Sequence, residues 1–326
     1  MMESKTKNKK SRAQIEHMAM RAFDGLGLAS GEAAVTELKE GWFNVAYKVR
    51  LADDREVILK IAPPPGVEIM GYEKNIMATE VAAMRLVRHN PAIPVPEIYF
   101  FDQAHDLCDA DYFFMAKLDG DNLEHVKARL PAATQAAIEV RIGEIIRAVN
   151  GFPGTYFGYA GNPALRAPTW QAAFLKIVES ILEDAARKNV LFEFGYDELR
   201  AALLKHAPAL AEITTPCLVH WDAWNLNFFV KDGQITGLID FERALWADPL
   251  MEAQFRQFDD GGVTNAMRGY GKTAFTLAEE QRNHLYTLHL ALVMYTECAY
   301  RHYDTDEVFN FARQLIGKEM AWLHAN

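Results

Sequence analysis

The sequence predicts an α+β protein of two lobes, a small N-terminal lobe built on an antiparallel sheet and a larger, mostly helical C-terminal lobe. Three observations lead there. Short alternating strands surround one amphipathic helix in the first third of the chain. Apolar residues at helical spacing dominate the remainder. Between them, the stretch from Leu218 to Pro249, LVHWDAWNLNFFVKDGQITGLIDFERALWADP, carries the polar residues and turn signals of a β-hairpin.

A leading helix is expected from Ser11 to Leu26. The segment EVILKIA, Glu56 to Ala62, reads as a strand with Ile58, Lys60 and Ala62 on one face. Lys60 therefore lies within an apolar strand, where its ammonium must reach water or find a partner. From Tyr72 to Asn90 the pattern is helical, with Ile76, Ala83, Met84 and Val87 on one stripe and Glu80 on the same stripe. An acid and a cation that both need partners make a Lys60–Glu80 ion pair the economical reading. The lobe boundary falls near Leu118 to Gly120, dividing the chain into residues 1–118 and 119–326. Beyond it, Ile138, Ile142, Ile145 and Val149 form a helical stripe that stops before Gly151, and two further amphipathic segments run from Thr169 to Lys188 and from Tyr196 to His206.

The hairpin segment holds the chemistry. A short apolar strand ends at Val219, a polar loop runs from His220 to Asn227, and strands Phe228 to Val230 and Gln234 to Ile239 flank the turn Lys231-Asp232-Gly233. Asn227 before the first strand and Asp240 after the second meet at the open end of the hairpin. Oxygen ligands of this kind suit Mg²⁺, which takes one or two carboxylates and fills its octahedron with water and phosphate. Asp222, in the same loop, is free to face an incoming nucleophile. An Asp, an Asn five residues on and an Asp after a hairpin is the order found in kinase catalytic loops.

With these residues the chain resembles the aminoglycoside phosphotransferase and choline kinase-like family of small-molecule kinases, which share the protein-kinase fold. HWDAWNLN, IDFE and ADP stand where the family has HGDxxxxN, IDWE or IDFE, and GDP. Upstream matches are GWFNVAYKV, the ILK strand, the helix bearing Glu80 followed by PVPEIYFFD, and YFFMAKLDG, so the likeness spans most of residues 35 to 255. The resemblance implies Asp222 as catalytic base, Asn227 and Asp240 as Mg²⁺ ligands, and Lys60 with Glu80 as the clamp on the phosphates of ATP or GTP. It implies adenine pairing at a hinge around Ala116 and Leu118 with Met115 behind, a bracing role for His220, and Asp248 holding the catalytic loop. A helical insertion after Phe152 is expected to help form the acceptor site. Residues 1–118 would then be the nucleotide-binding lobe and 119–326 the lobe of the catalytic loop and acceptor. Trp221 and Ala247 replace the family's usual glycines. The loop from Lys39 to Asn44 carries only Gly41, there is no GxxxxGK[ST] phosphate loop, Glu242 takes the place of the DFG glycine, and no APE segment is evident. These departures argue against a conventional protein kinase.

Composition narrows the partners. A formal net charge of −10 disfavours nucleic acid and permits a cationic acceptor. Asp259, Asp260 and Glu297 either bind its amines or, as the favoured reading, form a solvated helix end (Asp259, Asp260) and satisfy a nearby basic group (Glu297). The aromatic residues Tyr295, Tyr300, Tyr303 and Trp322 either cage a quaternary ammonium or simply pack. The basic start MMESKTKNKK lacks the apolar core of a secretory signal, and the run from Leu285 to Tyr295 is too short to span a bilayer. Cys108, Cys217 and Cys298 have no metal-ligand spacing, and their odd number fits a reducing cytoplasm. The leading expectation is a cytoplasmic kinase, monomer or homodimer, acting on a hydroxyl of a small, possibly cationic molecule. Two alternatives stand beside it: a catalytically silent nucleotide-binding module, and a metal hydrolase built on His220 and Asp222.

Overall fold

The computed structural model describes residues 7–39, 43–256, 258, 262–301, 303 and 305–326. Gly41, Asp259 and Asp260 lie outside the described residues. Helix α1 (Arg12–Ala22) starts where Ser11 and Gln14 cap each other's backbone amides. It lays Ile15, Met18 and Ala19 onto a five-stranded antiparallel sheet of β1 (Val35–Leu38), β2 (Val45–Arg50), β3 (Glu56–Ile61), β4 (Ile98–Asp102) and β5 (Tyr112–Ala116), in the order β1-β2-β3-β5-β4. Strand alternation in β3 sends Val57, Leu59 and Ile61 into the core under α1. The opposite face, with Ile58 and Lys60, looks toward helix α2 (Ile76–Val87). This helix is shorter than the sequence pattern suggests. Asn75 is left-handed at φ 52° and separates it from a single 3₁₀ turn at Gly71–Glu73.

The chain then passes through β6 (Asp121–Asn122), α3 (Leu123–Val126) and the long α4 (Ala132–Val149). Next come β7 (Gly158–Tyr159), α5 (Trp170–Arg187) and α6 (Tyr196–His206), followed by β8 (Cys217–Val219), β9 (Phe228–Lys231), β10 (Gln234–Leu238) and β11 (Leu245–Ala247). Helices α7 (Asn265–Tyr270), α8 (Leu277–Arg301) and α9 (Glu307–Ala325) complete the helical lobe. The β9–β10 hairpin closes through Asp232 and Gly233 at φ 52° and 75°, the left-handed pair that a two-residue turn demands. Its strands join β6 in a small sheet of order β10-β9-β6, while β11 lies between β7 and β8 in another.

One apolar core ties the lobes together. Met77, Val81 and Met84 of α2 and Phe113 of β5 pack with Ile138, Ile142 and Ile145 of α4 and with Phe228, Leu238 and Phe241 of the hairpin region. The predicted α4 stripe is thus the floor on which sheet, helix and hairpin meet. The run from Leu285 to Tyr295 is buried within α8, and among the described residues no helix is long and apolar enough to cross a membrane. The C-terminal aromatics do not converge on one point. Trp322 stacks on His284, Tyr295 on Phe309, and Tyr300 donates to the Asp184 carbonyl.

Helices α4 and α7 touch backbone to backbone at two glycines. A Cβ added at Gly143 would stand 1.9 Å from the Ala266 carbonyl oxygen, and one at Gly269 would stand 1.9 Å from that of Val140. Gly143→Ala should therefore force the helices apart and cost about 2–3 kcal/mol in urea denaturation. A loss below about 0.5 kcal/mol would show that the helices separate without penalty.

Candidate active site

Three elements deliver charged groups to one point at the edge of the shared core. β3 presents Lys60, α2 presents Glu80, and the turn after β10 presents Asp240 and Glu242. The Lys60 ammonium donates to Glu80 Oε2 at 2.7 Å, to Asp240 Oδ1 at 2.6 Å and to Glu242 Oε2 at 3.3 Å. The carboxylates of Glu80, Asp240 and Glu242 each offer an oxygen within 4.8 Å of the others. One ammonium cannot neutralise three clustered carboxylates, of which Glu80 and Glu242 are buried and Asp240 is partly exposed. Burial, reinforced by Asp240 and Glu242, pushes the Glu80 carboxyl up to about 8 despite Lys60. Burial also opposes the charged form of Asp240, but Lys60 at contact distance outweighs it and holds that carboxyl below its ordinary value. From the loop after β1, Asn44 Nδ2 donates to Glu242 at 2.5 Å, adding a fourth element to the cluster.

The catalytic-loop segment lies beside this cluster. Asn227 spends its Nδ2 on the Asp222 carbonyl at 2.7 Å, which leaves its side-chain oxygen for other use. Across the hairpin the Ile239 amide donates to the Asn227 carbonyl at 3.0 Å, so the hairpin sets Asn227 beside the residue preceding Asp240. His220 is fully buried and donates from Nε2 to the Ile239 carbonyl at 2.9 Å, linking the loop to the strand that leads to Asp240. Burial lowers the His220 pKa to about 4, so the ring is neutral and this donor is fixed. Asp240 and Trp221 both sit in the left-handed region, at φ 70° each. For a tryptophan that conformation persists only where its surroundings enforce it.

The sequence reading gave Asp248 the task of holding the catalytic loop. The structure gives that task to Glu252. Asp248 caps Leu250 and accepts from Arg282 and Tyr286, anchoring α8 instead. Glu252, wholly buried, accepts from the backbone amides of His220 and Trp221 at 2.9 and 3.0 Å and from Asn150 Nδ2 at 2.8 Å. Burial raises the Glu252 carboxyl to about 7, less than it would without those donors. No sequence signal marked this residue, because an acid in PLMEAQF looks like an ordinary surface position.

Asp222 has no side-chain hydrogen-bond partner among the described residues. Desolvation lifts its carboxyl to about 7; Arg243 lowers it, while Asp240, Glu242 and Glu297 raise it. Arg243 itself lies between the rings of Trp221 and Tyr72, 5.2 and 5.4 Å from their centroids, and donates from Nη2 to Glu297 Oε1 at 2.7 Å. Neither Arg243 nor the place of Glu242 inside the cluster was anticipated, although both are charged residues in the otherwise apolar run LIDFERALW. At the other end of the site, the Ala116 amide donates to the Glu97 carbonyl at 2.8 Å, and the Leu118 side chain packs over Gly237 of β10.

Residues 34–255, more than half of the chain, match the phosphotransferase enzyme family. The chain belongs to that family. Among solved structures, this phosphotransferase-family chain resembles a thermostable mutant of the aminoglycoside phosphotransferase APH(4)-Ia in complex with ADP and hygromycin B, at TM-score 0.64 and 17% identity, covering 96% of this chain and 99% of the other. It also resembles APH(2")-IIa with streptomycin and ATP, at TM-score 0.60 and 14% identity over 98% and 97% of the two chains. The GDP complex of aminoglycoside 2'-phosphotransferase-IIIa is similar too, at TM-score 0.61 and 17% identity over 96% and 99%. At these identities the likeness is one of fold, the two-lobed α+β kinase fold. A subtelomeric hrmA-associated cluster protein of Aspergillus fumigatus is 29% identical over 125 residues, which is 38% of this chain and 24% of that relative. The match thus spans about a quarter of that relative's length.

Two outcomes follow. Glu252→Ala strips three N–H groups of their acceptor and should cost about 3 kcal/mol or more in urea denaturation; retention of wild-type stability would mean the loop holds itself. Lys60→Met leaves buried carboxylates without their cation and should cost about 3–5 kcal/mol at pH 8. That loss should shrink toward pH 5, because protonating Glu80 and Glu242 removes the charge that Lys60 balanced. A pH-independent loss would contradict the shared-ammonium arrangement.

Proposed function

We propose that this chain is a small-molecule kinase, transferring the γ-phosphate of ATP or GTP to a hydroxyl of a small acceptor. The observation that carries the reading is Asp222. Its carboxylate has no partner among the described residues and stands beside a Lys–Glu–Asp–Glu cluster whose residue types suit metal-bound phosphate.

Phosphoryl transfer is loose and largely dissociative, so holding the reactants matters more than strong base catalysis. Asp222 orients the acceptor hydroxyl and takes its proton late. The acceptor oxygen forms the new O–P bond as the bond from the γ-phosphorus to the β-bridging oxygen breaks, and the nucleoside diphosphate leaves. Lys60, drawn from its apolar strand and steadied by Glu80, contacts the phosphates. Asp240, Glu242 and Asn227 would supply oxygen ligands of the kind Mg²⁺ takes. The metal would neutralise charge on the β and γ phosphates. At the hinge, the Ala116 amide is committed to Glu97, so its carbonyl and the Leu118 amide are the groups that would meet the purine.

The division near residues 118–120 supports a nucleotide-binding part before it and an acceptor part after it, since the five-stranded sheet ends at Ala116. A cationic acceptor has weaker support. Glu297 is already paired with Arg243, and Asp259 and Asp260 lie outside the described residues. On this reading the protein works in the cytoplasm as a monomer or homodimer, with no nucleic-acid or membrane partner.

Mg²⁺-dependent ADP release should be stimulated by one class of hydroxyl compound in a panel of aminoglycosides, amino alcohols, sugars and hydroxy acids, and Asp222→Asn should lower kcat at least about 100-fold. Wild-type turnover in Asp222→Asn would remove the base assignment. Because the Asp222 carboxyl sits near 7 and acts ionised, kcat/KM for the acceptor should climb with pH through about 7. A profile flat from pH 6 to 8 would contradict it.

A further inference from the structure

Near Asp222 and adjoining the Lys60 cluster lies a second set of charged groups. It holds two arginines in different circumstances. Arg301 is sealed, with its side chain 2% exposed, and is paired with Glu73. Arg243 is open: its side chain is 17% exposed and only Nη2 is used, in the bond to Glu297. The other N–H groups of Arg243 have no acceptor among the described residues, yet none of them is sealed from solvent. The guanidinium lies over the ring of Trp221, the residue next to Asp222, and is the foremost cation acting on the Asp222 carboxyl.

The guanidinium is held rigidly for a surface-facing group. Its carbon lies over the rings of Trp221 and Tyr72, and Glu297, which also accepts from the Tyr72 hydroxyl, holds Nη2. Trp221 sits at φ 70°, is 5% exposed and lies edge-on to His289 at 5.8 Å. Glycine would occupy that backbone conformation without strain, so the indole is retained against a local cost. A desolvated Arg–Glu pair is also poor value as a stabilising device, since apolar residues of similar volume commonly do as well. A strained backbone at Trp221, a guanidinium held over two rings and donors without acceptors among the described residues together describe a fork prepared for a planar anion.

We propose that Arg243 anchors a carboxylate of the phosphate acceptor, so that the acceptor is a small hydroxy acid, with or without an amino group, and not a polycation. The proposal rests on the kinase reading only in placing a hydroxyl at Asp222. The carboxylate takes the free N–H edge of Arg243 while Glu297 keeps the opposite edge in place. A polyamine acceptor would bring positive charge against the same guanidinium. Trp221 and Tyr72 act as positioning residues that keep the fork in plane.

The test uses the full chain with Mg²⁺ and AMP-PNP, titrated calorimetrically with glycerate, 4-hydroxybutyrate and homoserine, each beside its own amide. At least one carboxylate should bind tenfold or more tightly than its amide to the wild type. Glu297→Gln should keep that preference, Arg243→Gln should abolish it, and Arg243→Lys should keep part of it. A purely structural ion pair would make Glu297→Gln and Arg243→Gln behave alike, which overturns the proposal. Should Arg243→Gln fail to fold, Arg243→Gln/Glu297→Gln removes both charges together and must still lose the preference. The proposal also falls if no carboxylate outbinds its amide. ADP release is scored separately: turnover with uncharged or cationic alcohols alone keeps the kinase reading and overturns the carboxylate anchor, whereas Arg243-dependent carboxylate binding without turnover supports the anchor and counts against the kinase reading.

Discussion

The structure is organised by one ammonium held among three carboxylates. Lys60 comes from the sheet, Glu80 from α2, and Asp240 and Glu242 from the turn after the hairpin. Elements distant in sequence are thereby brought into register at a single buried point. Such a cluster tolerates little slack, because every carboxylate that loses the ammonium is left desolvated and must take up a proton. The apolar core beneath it enforces the arrangement. α2, the α4 stripe and the hairpin share that core, so moving any one of them displaces a charged group above it.

The loop from His220 to Asn227 depends on a separate device. Glu252 gathers two backbone amides and the Asn150 side chain, and His220 reaches across to the Ile239 carbonyl. The loop is thus pinned from both sides while the Asp222 side chain has no hydrogen-bond partner among the described residues. The backbone strain at Trp221 and Asp240 falls on either side of that free carboxylate. Rigidity around an unsatisfied acid is what a reaction governed by positioning calls for.

Much of this was legible in the chain. Strand alternation placed Lys60 on the face toward α2, helical spacing placed Glu80 on the buried stripe, and the Asp-Gly turn fixed where Asn227 and Asp240 would meet. The helices from Thr169 to Lys188 and from Tyr196 to His206 were found close to their observed limits because the apolar periodicity is clear in both, and Thr169 caps the first. What could not be read shares a physical cause. Glu252, Arg243, Glu242 and Asn44 act through partners 22 or more residues away, and no local pattern separates a buried acid with distant donors from a solvated one. The Asp248 assignment failed for the same reason: its partners Arg282 and Tyr286 belong to α8 and compete for the carboxylate. The break at Asn75 was missed because a single left-handed residue leaves the apolar period nearly intact.

The central claim is that the Lys60 cluster receives a metal-bound nucleotide through Asp240. Calorimetric titration of AMP-PNP into the wild type and into Asp240→Asn, with and without Mg²⁺, tests it most directly. The account predicts wild-type binding that depends on Mg²⁺ and weakens at least about tenfold, roughly 1.4 kcal/mol, in Asp240→Asn. Equal nucleotide affinity in both proteins, or binding indifferent to Mg²⁺, would contradict it.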